Sequence, residues 1–382
     1  MLFYGPSFSM NVKQLEEKLA TTHGVNEKLE VLDELASYYY DHDNYQKAIT
    51  YYQEAEKLVP AGNSLAYYQG LEGICHFFLK KDKEAYQALL GAKEVLRPKE
   101  DDFDPEICGL VHYFLGSLYE YNEANDSSLE CRLEAYEYLN HLHREAQWML
   151  LAGMSRNYEQ QGDLRKAVEF NTQAISLISN DDPEVVFIFE SLGSSHYELG
   201  EYEKALEYFS RVLEVDAGFE RKEDIYFSIG LCNQRLLDFR LALKSYLKLL
   251  ELKELVPDGD SLCWLYIEIA HCYYSLKEHE KSIECVEKAL SESIEDKEEN
   301  AEIHSYLSNN YYALGKYQEA VEAGEATLKI SDQFHNLKIM LPNLALSYYQ
   351  LGQEDKFHFY RDWCNRAFSD LRWTKELNKL KI

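Results

Sequence analysis

Apolar residues recur every three or four positions in short stretches along the chain, and turn residues separate the stretches. The clearest pair of stretches runs from residue 186 to 216, VFIFESLGSSHYELGEYEKALEYFSRVLEVD. Its first stretch ends at Gly200, a residue type that ends helices because it adopts the left-handed conformation without strain. Its second stretch places Tyr202, Ala205 and Phe209 on one helical face. The pattern predicts two helices, A and B, joined by a tight turn.

This pair recurs nine times, in a fixed register. In each copy a small residue is followed twelve positions later by a second, mostly small residue, and seven positions later again by a third, usually small or aliphatic. Small residues let two helices approach closely. The first small positions are Ala36, Gly73, Gly116, Ser155, Gly193, Gly230, Ala270, Ser308 and Ala345. Self-similarity on this scale predicts a solenoid, in which each repeat packs only on its neighbours.

The repeat resembles the tetratricopeptide repeat, in which Leu-Gly-x-x-Tyr on helix A is followed by Ala-x-x-x-Phe on helix B. The matching residues are Leu35-Ala36 with Tyr39, Leu115-Gly116 with Tyr119, Leu192-Gly193, and Ala205 with Phe209. The resemblance covers residues 29 to 360 and implies an all-α fold, a right-handed superhelix of about nine helix hairpins. Successive first positions lie 37 to 43 residues apart, longer than the usual unit of about 34 residues. Among tetratricopeptide repeat proteins, such elongated units resemble bacterial ones.

Three regions follow from the register. Residues 1–28 form an N-terminal segment with a leading helix, residues 29–360 form the repeat array, and residues 361–382 form a C-terminal capping helix.

Two positions depart from the pattern. Glu72 occupies a place in the second repeat where an apolar residue is expected, and Pro342 should start or kink the helix that contains it.

The charge of the chain limits its partners. With 67 acidic residues against 39 basic ones, the formal net charge is −28. Such a charge repels nucleic acids and anionic membranes, so neither is predicted as a partner. The acidic residues keep a tyrosine-rich surface soluble, and a second interpretation is that they attract a basic partner. Eight cysteines without a Cys-x-x-Cys pair, no signal peptide and no long apolar run favour a cytoplasmic protein.

No catalytic motif is present in the sequence. The glycine-rich phosphate loops, the HExxH zinc motif and the GxSxG nucleophile elbow are all missing, so we expect neither an enzyme nor a cofactor. His141 and His143 have no further ligand at a diagnostic spacing, and they are interpreted as an exposed pair at a helix end rather than a metal site.

Aromatic residues carry the strongest functional signal. Four residues after the first small position, six of the nine repeats have an aromatic ring. In a tetratricopeptide repeat array this position faces the concave groove, where tyrosine suits peptide recognition. The competing interpretation is that these rings only stack along the superhelix. Together with two polar residues at the ninth position of helix A, the candidates are Tyr40, Phe77, Arg156, Tyr197, Tyr274, Asn309, Tyr312 and Tyr349.

Two functions remain open at this point. The first is a non-enzymatic scaffold or adaptor that holds a protein or peptide segment in its groove. The second is a regulator that responds to a signalling peptide, resembling the bacterial Rap-type receptors. Those receptors need an effector module ahead of their repeats, and the roughly 28 residues before the first repeat are expected to be too few for one. The oligomeric state is not predicted.

Overall fold

The computed structural model describes residues 11–179, 181–215, 221–253, 259–291, 297–333, 335–368 and 372–380. Residues 1–10 of the predicted N-terminal segment therefore lie outside the described part. Over the described residues the chain is built of helices and turns, without a β-strand, which confirms the all-α prediction. It divides into two compact units, residues 1–200 and residues 201–382.

The N-terminal unit contains a leading helix, four hairpins and one further helix. Its helices are α1 (Val12–Thr21), α2 (Val25–Asp41), α3 (Tyr45–Glu56), α4 (Asn63–Phe78), α5 (Asp82–Val95), α6 (Pro105–Tyr121), α7 (Asn125–Tyr136), α8 (Arg144–Gln160), α9 (Leu164–Leu177) and α10 (Val185–Glu198), with a 3₁₀ turn at Leu139–His141. Helices α2, α4, α6 and α8 are the A helices of the first four repeats.

The C-terminal unit begins with a B helix and continues with four hairpins. Its helices are α11 (Tyr202–Val215), α12 (Lys222–Arg235), α13 (Phe239–Lys253), α14 (Gly259–Ser275), α15 (His279–Leu290), α16 (Lys297–Ala313), α17 (Tyr317–Ile330), α18 (Leu337–Gln350), α19 (Glu354–Ala367) and α20 (Arg372–Leu377). Helix α18 starts at Leu337 and runs through Pro342, so of the two predicted effects of this proline, a helix start or a kink, the first does not occur. The predicted limit of the array at residue 360 falls inside α19.

Close packing of helix A on helix B explains the first small position. A Cβ atom added to Gly73 would lie 2.6 Å from Cγ of Leu89, and one added to Gly230 would lie 2.3 Å from Cε1 of Tyr246. Both large partners lie on helix B, sixteen residues after the glycine. Where the small residue is serine, as at Ser155, its hydroxyl donates across the hairpin to a helix B carbonyl oxygen, here at 2.9 Å. The predicted close approach is confirmed.

The turn between helices A and B repeats as strictly as the packing. In every repeat of the described chain, the residue seven positions after the first small one has a positive φ: Asp43, Lys80, Glu123, Gly162, Gly200, Leu237, Lys277, Gly315 and Gly352. Only four of these nine are glycine, although a left-handed backbone costs other residues roughly 1 kcal/mol or more. The hairpin packing therefore imposes this conformation even where the sequence does not favour it.

A buried arginine joins three helices of the N-terminal unit. Arg132 on α7 is fully buried, and its Nη2 lies 2.5 Å from Oε2 of Glu120 on α6. Its Nη1 donates to the carbonyl oxygen of Gly153 at 2.9 Å and to Oδ1 of Asn157 at 2.6 Å, both on α8. A Cβ atom on Gly116 or Gly153 would lie within 3 Å of this side chain. A buried charge is tolerated only with such pairing.

The unexpected Glu72 belongs to a polar cluster between α3 and α4. Its Oε1 accepts a hydrogen bond from Nε2 of Gln53 at 2.6 Å and lies 3.4 Å from Nε2 of His76. Burial, and after it a hydrogen bond with Glu72, raises the pKa of Glu56 to about 8. Glu72 is thus an acid with polar neighbours at a position predicted to be apolar, and the neighbouring Glu56 holds its proton more tightly than an exposed glutamate.

The first hairpin is closed by a tyrosine cluster that also holds α1. The rings of Tyr39 and Tyr51 stack with centroids 5.7 Å apart, and Nζ of Lys47 lies 4.4 Å above the Tyr39 ring. Both hydroxyls donate to Oε1 of Glu16, at 3.2 and 3.5 Å. Helix α1 therefore occupies the place that helix B of a preceding repeat would take.

The last hairpin repeats this cluster at equivalent positions. The rings of Tyr348 and Tyr360 stack at 5.4 Å, and their hydroxyls donate to Oε1 of Glu325 on α17, at 2.5 and 3.2 Å. Nζ of Lys356 lies 2.8 Å from the same oxygen. In both clusters the first tyrosine is buried, with 8% of Tyr39 and 2% of Tyr348 exposed.

Substitution of Gly153 by Ala tests the packing of the buried arginine. The new methyl group would lie 2.7 Å from Cζ of Arg132, and such overpacking costs about 1–3 kcal/mol. We expect a lower midpoint of urea unfolding, followed by circular dichroism. Gly91→Ala is the matched control, because its Cβ meets only the end of the Gln69 side chain at 3.4 Å. An unchanged midpoint for Gly153→Ala would show that Arg132 is not held as described.

The raised pKa of Glu56 predicts a dependence of stability on pH. Because the folded-state pKa of about 8 exceeds the usual value of 4.5, the folded chain keeps a proton that the unfolded chain loses. The stability associated with Glu56 is present at low pH and is lost as the pH rises through about 8. Glu56→Gln should therefore raise the urea midpoint relative to the unmodified chain at about pH 9 and change it little at about pH 5. Glu84→Gln, on the exposed face of α5, is the control, and equal effects of Glu56→Gln at both pH values would contradict the raised pKa of Glu56.

Candidate functional site

Two of the predicted site residues, Tyr40 and Phe77, line one cavity of about 350 Å³ in the N-terminal unit. We refer to it as the aromatic pocket. Its lining residues are Tyr40, Asp41, Asp43, Tyr45, Phe77, Phe78, Tyr113, Phe114, Glu145 and Met149. Apart from Asp43 in a turn and Tyr45 at the start of α3, these residues lie on the A helices of four successive repeats. The pocket therefore depends on the repeat register and not on one local motif.

The turn after α2 shapes one side of the pocket. Asp43 has a φ of 56°, a left-handed conformation that aspartate tolerates better than most residues. Oδ1 of Asn44 accepts a hydrogen bond from the backbone N–H of Lys47 and caps α3. The Tyr45 hydroxyl then donates to Oδ1 of Asp43 at 2.8 Å. This bond holds an aromatic ring and a carboxylate side by side at the pocket wall.

Aromatic rings pack on one another across the pocket. The Tyr45 and Phe78 rings stack with centroids 5.1 Å apart, and the Tyr40 ring meets Tyr45 edge to face at 5.4 Å. Phe77 meets Phe114 of the next repeat at 5.0 Å. Phe78 is 37% exposed, whereas Tyr40 is only 5% exposed, which corrects the expectation that the Tyr40 ring is open to a groove. The rings thus hold one another in place by mutual packing, and Phe78 offers the most accessible ring face.

The charged residues of the pocket are all acidic. Asp41, Asp43 and Glu145 line it, and no lysine or arginine stands among its described lining residues. Burial raises the pKa of Asp41 above its ordinary value, with His42 acting in the opposite direction. Burial, and then the bond to Asp43, raises the pKa of Tyr45 to about 12. At neutral pH the pocket therefore combines neutral aromatic rings with carboxylates, an arrangement that attracts cations.

The two predicted polar residues bond to neighbouring A helices. Nε of Arg156 donates to Oε1 of Glu120 at 2.9 Å, and the Arg156 side chain is 52% exposed. Oδ1 of Asn309 accepts from Nδ2 of Asn343 at 2.8 Å, and Asn309 is only 3% exposed. Similar side-chain hydrogen bonds join other neighbouring A helices, so polar residues at these positions connect successive repeats. As placed, Asn309 offers almost no surface to a partner, which corrects the expectation that its amide is open to the groove.

The remaining predicted aromatic residues lie outside the aromatic pocket. Tyr197 is half-buried on α10 of the N-terminal unit. Tyr274, Tyr312 and Tyr349 are half-buried on α14, α16 and α18 of the other unit. The Tyr274 ring meets His279 at 5.4 Å, and Tyr349 meets Phe357 at 5.3 Å. These contacts are made within one hairpin, as the competing packing interpretation requires, and the remaining ring surface is what a partner would meet.

Sequence reasoning did not identify several pocket residues. Phe78, Phe114 and Glu145 do not share one register position, so a search at a single offset passes over them. The available signal was the adjacent ring pairs, Phe77-Phe78 and Tyr113-Phe114, each near the small residue of its A helix. Their proximity, with ring centroids of Phe77 and Phe78 at 5.0 and 5.8 Å from Phe114, depends on how successive A helices pack.

In the described ranges, no three or more His, Cys, Asp and Glu side chains come together as a metal site. Every helix described is too short or too polar to cross a bilayer.

Comparison with protein families gives two matches, both to models of the tetratricopeptide repeat. One covers residues 188–219 and the other residues 260–333. No curated protein matches the chain.

Solved structures resemble the chain over most of its length. The apo form of RapI is 17% identical, with a TM-score of 0.50 over 93% of this chain and 97% of that chain. A signal transduction ATPase with a tetratricopeptide repeat sensor, from Pyrococcus horikoshii, is 15% identical, with a TM-score of 0.55 over 93% of this chain and 54% of that one. The C-terminal part of a repeat protein from Cytophaga hutchinsonii is 18% identical over 69% of this chain and 96% of that chain, with a TM-score of 0.48. At these identities the resemblance concerns the fold alone.

Proposed function

We propose that this chain, a tetratricopeptide repeat protein by its repeats and its fold, is a scaffold that holds a segment of a partner protein in the aromatic pocket. The observation that carries the proposal is the pocket itself, in which aromatic rings of three successive repeats and the carboxylates of Asp41, Asp43 and Glu145 line one cavity. Its volume of about 350 Å³ lies in the range of ligand sites and suits a few side chains rather than a folded domain.

The segment is proposed to carry a lysine or arginine side chain into the pocket. An ammonium or guanidinium group over an aromatic face gains about 0.5–2 kcal/mol. The carboxylates of Asp41, Asp43 and Glu145 favour the same charge, and the net charge of −28 draws basic partners toward the whole surface. The exposed ring of Tyr121, whose centroid lies 6.1 Å from that of Phe77, extends the apolar surface beyond the cavity. A peptide with an apolar residue beside the cation would contact both the aromatic pocket and the Tyr121 ring.

A pair of isosteric peptides tests this proposal. We expect a fluorescent peptide with a single arginine between apolar residues to bind roughly 5–30-fold more tightly than its citrulline counterpart, since cation–π attraction is lost with the charge. Asp43→Asn should remove most of the difference, and Phe78→Ala should weaken binding of the arginine peptide. The measurement is fluorescence anisotropy, with circular dichroism to check that each variant is folded.

Glu203→Gln is the matched control, since it removes one negative charge from the exposed face of α11 in the other unit. Equal affinity for the arginine and citrulline peptides would contradict the proposal. A loss of binding in Glu203→Gln as large as that in Asp43→Asn would show that only the overall charge matters.

The raised pKa of Asp41 predicts how binding changes with pH. Protonation removes one of the negative charges that face the cation, whereas arginine stays charged at all the pH values concerned. Affinity for the arginine peptide should therefore fall as the pH is lowered toward the raised pKa of Asp41. In Asp41→Asn the affinity should be lower at neutral pH and should change less on acidification. A pH profile identical in both proteins would exclude Asp41 from the site.

A further inference from the structure

The C-terminal unit carries an exposed leucine cluster at α13. Leu237, Leu241 and Leu247 expose 73, 49 and 37% of their surface. Single exposed leucines are common, but three on one helix and its preceding turn form an apolar patch of the kind that marks interaction sites.

A groove of about 740 Å³ lies beside this cluster, lined by residues of α11, α12 and α13. Its apolar lining includes Leu206, Tyr226, Ile229 and Leu241. Helices α11 and α13 are the B helices of successive repeats, and α12 contributes lining residues from the A helix between them. Such a groove accepts a further helix, because side chains of one helix pack into the grooves between those of others.

The charged residues among the described lining of this groove are Lys244, Lys248 and Glu251, and Arg240 precedes them on α13. Arg240, Lys244 and Lys248 are exposed on successive turns of α13, a row about 12 Å long at 1.5 Å per residue. Nζ of Lys248 lies 2.9 Å from Oε2 of Glu251, but both side chains are more than half exposed, so this pair is weak. On a chain with a net charge of −28, this row selects for a negatively charged partner.

We propose that this groove binds an acidic amphipathic helix of a partner protein. Leucine-type side chains of the helix enter the groove, as in other helix-in-groove complexes. Its carboxylates, spaced one turn apart, face Lys244 and Lys248. The site is separate from the aromatic pocket and has the opposite charge preference, so it does not depend on the function proposed above.

The probe is a fluorescent helical peptide with leucines on one face and glutamates beside them, and a second peptide has glutamine in place of each glutamate. We expect the acidic peptide to bind the full chain at least tenfold more tightly than the glutamine peptide. Its affinity should fall as the salt concentration rises from about 50 to about 300 mM. The double variant Lys244→Glu and Lys248→Glu should lose at least tenfold in affinity for the acidic peptide. Lys281→Glu with Lys329→Glu, two exposed lysines elsewhere in the same unit, is the control and should lose much less.

Leu241→Ser tests the apolar part of the groove, because Leu241 is an exposed residue of its lining. We expect weaker binding of the acidic peptide with little change in the midpoint of thermal unfolding. Unchanged binding of the acidic peptide to this variant would overturn the proposal. Equal binding of the two peptides, or an equal loss in the control variant, would overturn the proposal. Sedimentation velocity completes the test, because a dimer that Leu241→Ser dissociates would identify a second copy of this chain as the occupant instead.

Discussion

The close approach of helix A to helix B at the small-residue position is the constraint on which the rest of the structure depends. At Gly73 and Gly230 there is no room even for a methyl group, because Leu89 and Tyr246 of helix B fill the space. This contact sets the spacing of each hairpin. It also accounts for the turn, since the residue seven positions later takes a positive φ in all nine described repeats, including Leu237 and Lys277. Because this contact between helices A and B recurs, successive repeats present their side chains at equivalent surface positions.

Polar groups inside the array follow from the same geometry. Arg132 takes the place that Leu89 and Tyr246 hold in other repeats, and it is accommodated because Gly116 and Gly153 leave space while Glu120 supplies the opposite charge. Removal of one partner of such a pair typically costs about 3–5 kcal/mol. Glu56 meets a similar problem differently, since burial beside Glu72 raises the pKa of its carboxyl and favours the neutral form. Each of these polar groups is stable only together with its partners, so a single substitution in either cluster is expected to change the stability of the fold.

The two proposed surfaces use different parts of the repeat. The aromatic pocket is formed mostly by A helices of the N-terminal unit, where ring pairs such as Phe77-Phe78 meet Phe114 of the next repeat. The leucine and lysine groove involves the B helices α11 and α13 of the other unit. One surface is acidic and the other carries Lys244 and Lys248. A scaffold with both would distinguish a cationic segment from an acidic helix by charge as well as by shape.

The sequence alone determined the repeat, its register and the helix pairs, because small residues at fixed offsets report a contact made within one hairpin. The same register proposed Tyr40 and Phe77, which line the aromatic pocket. Only the tertiary structure decided how the predicted polar candidates are used: Asn309 bonds to Asn343, and Arg156 bonds to Glu120. It also brought Glu145 and Phe114 to the pocket. The physical reason is that the pattern within one repeat reports the contacts between its helices A and B. The contacts that form the pocket and the bonds of Asn309 and Arg156 depend instead on how side chains of successive A helices meet.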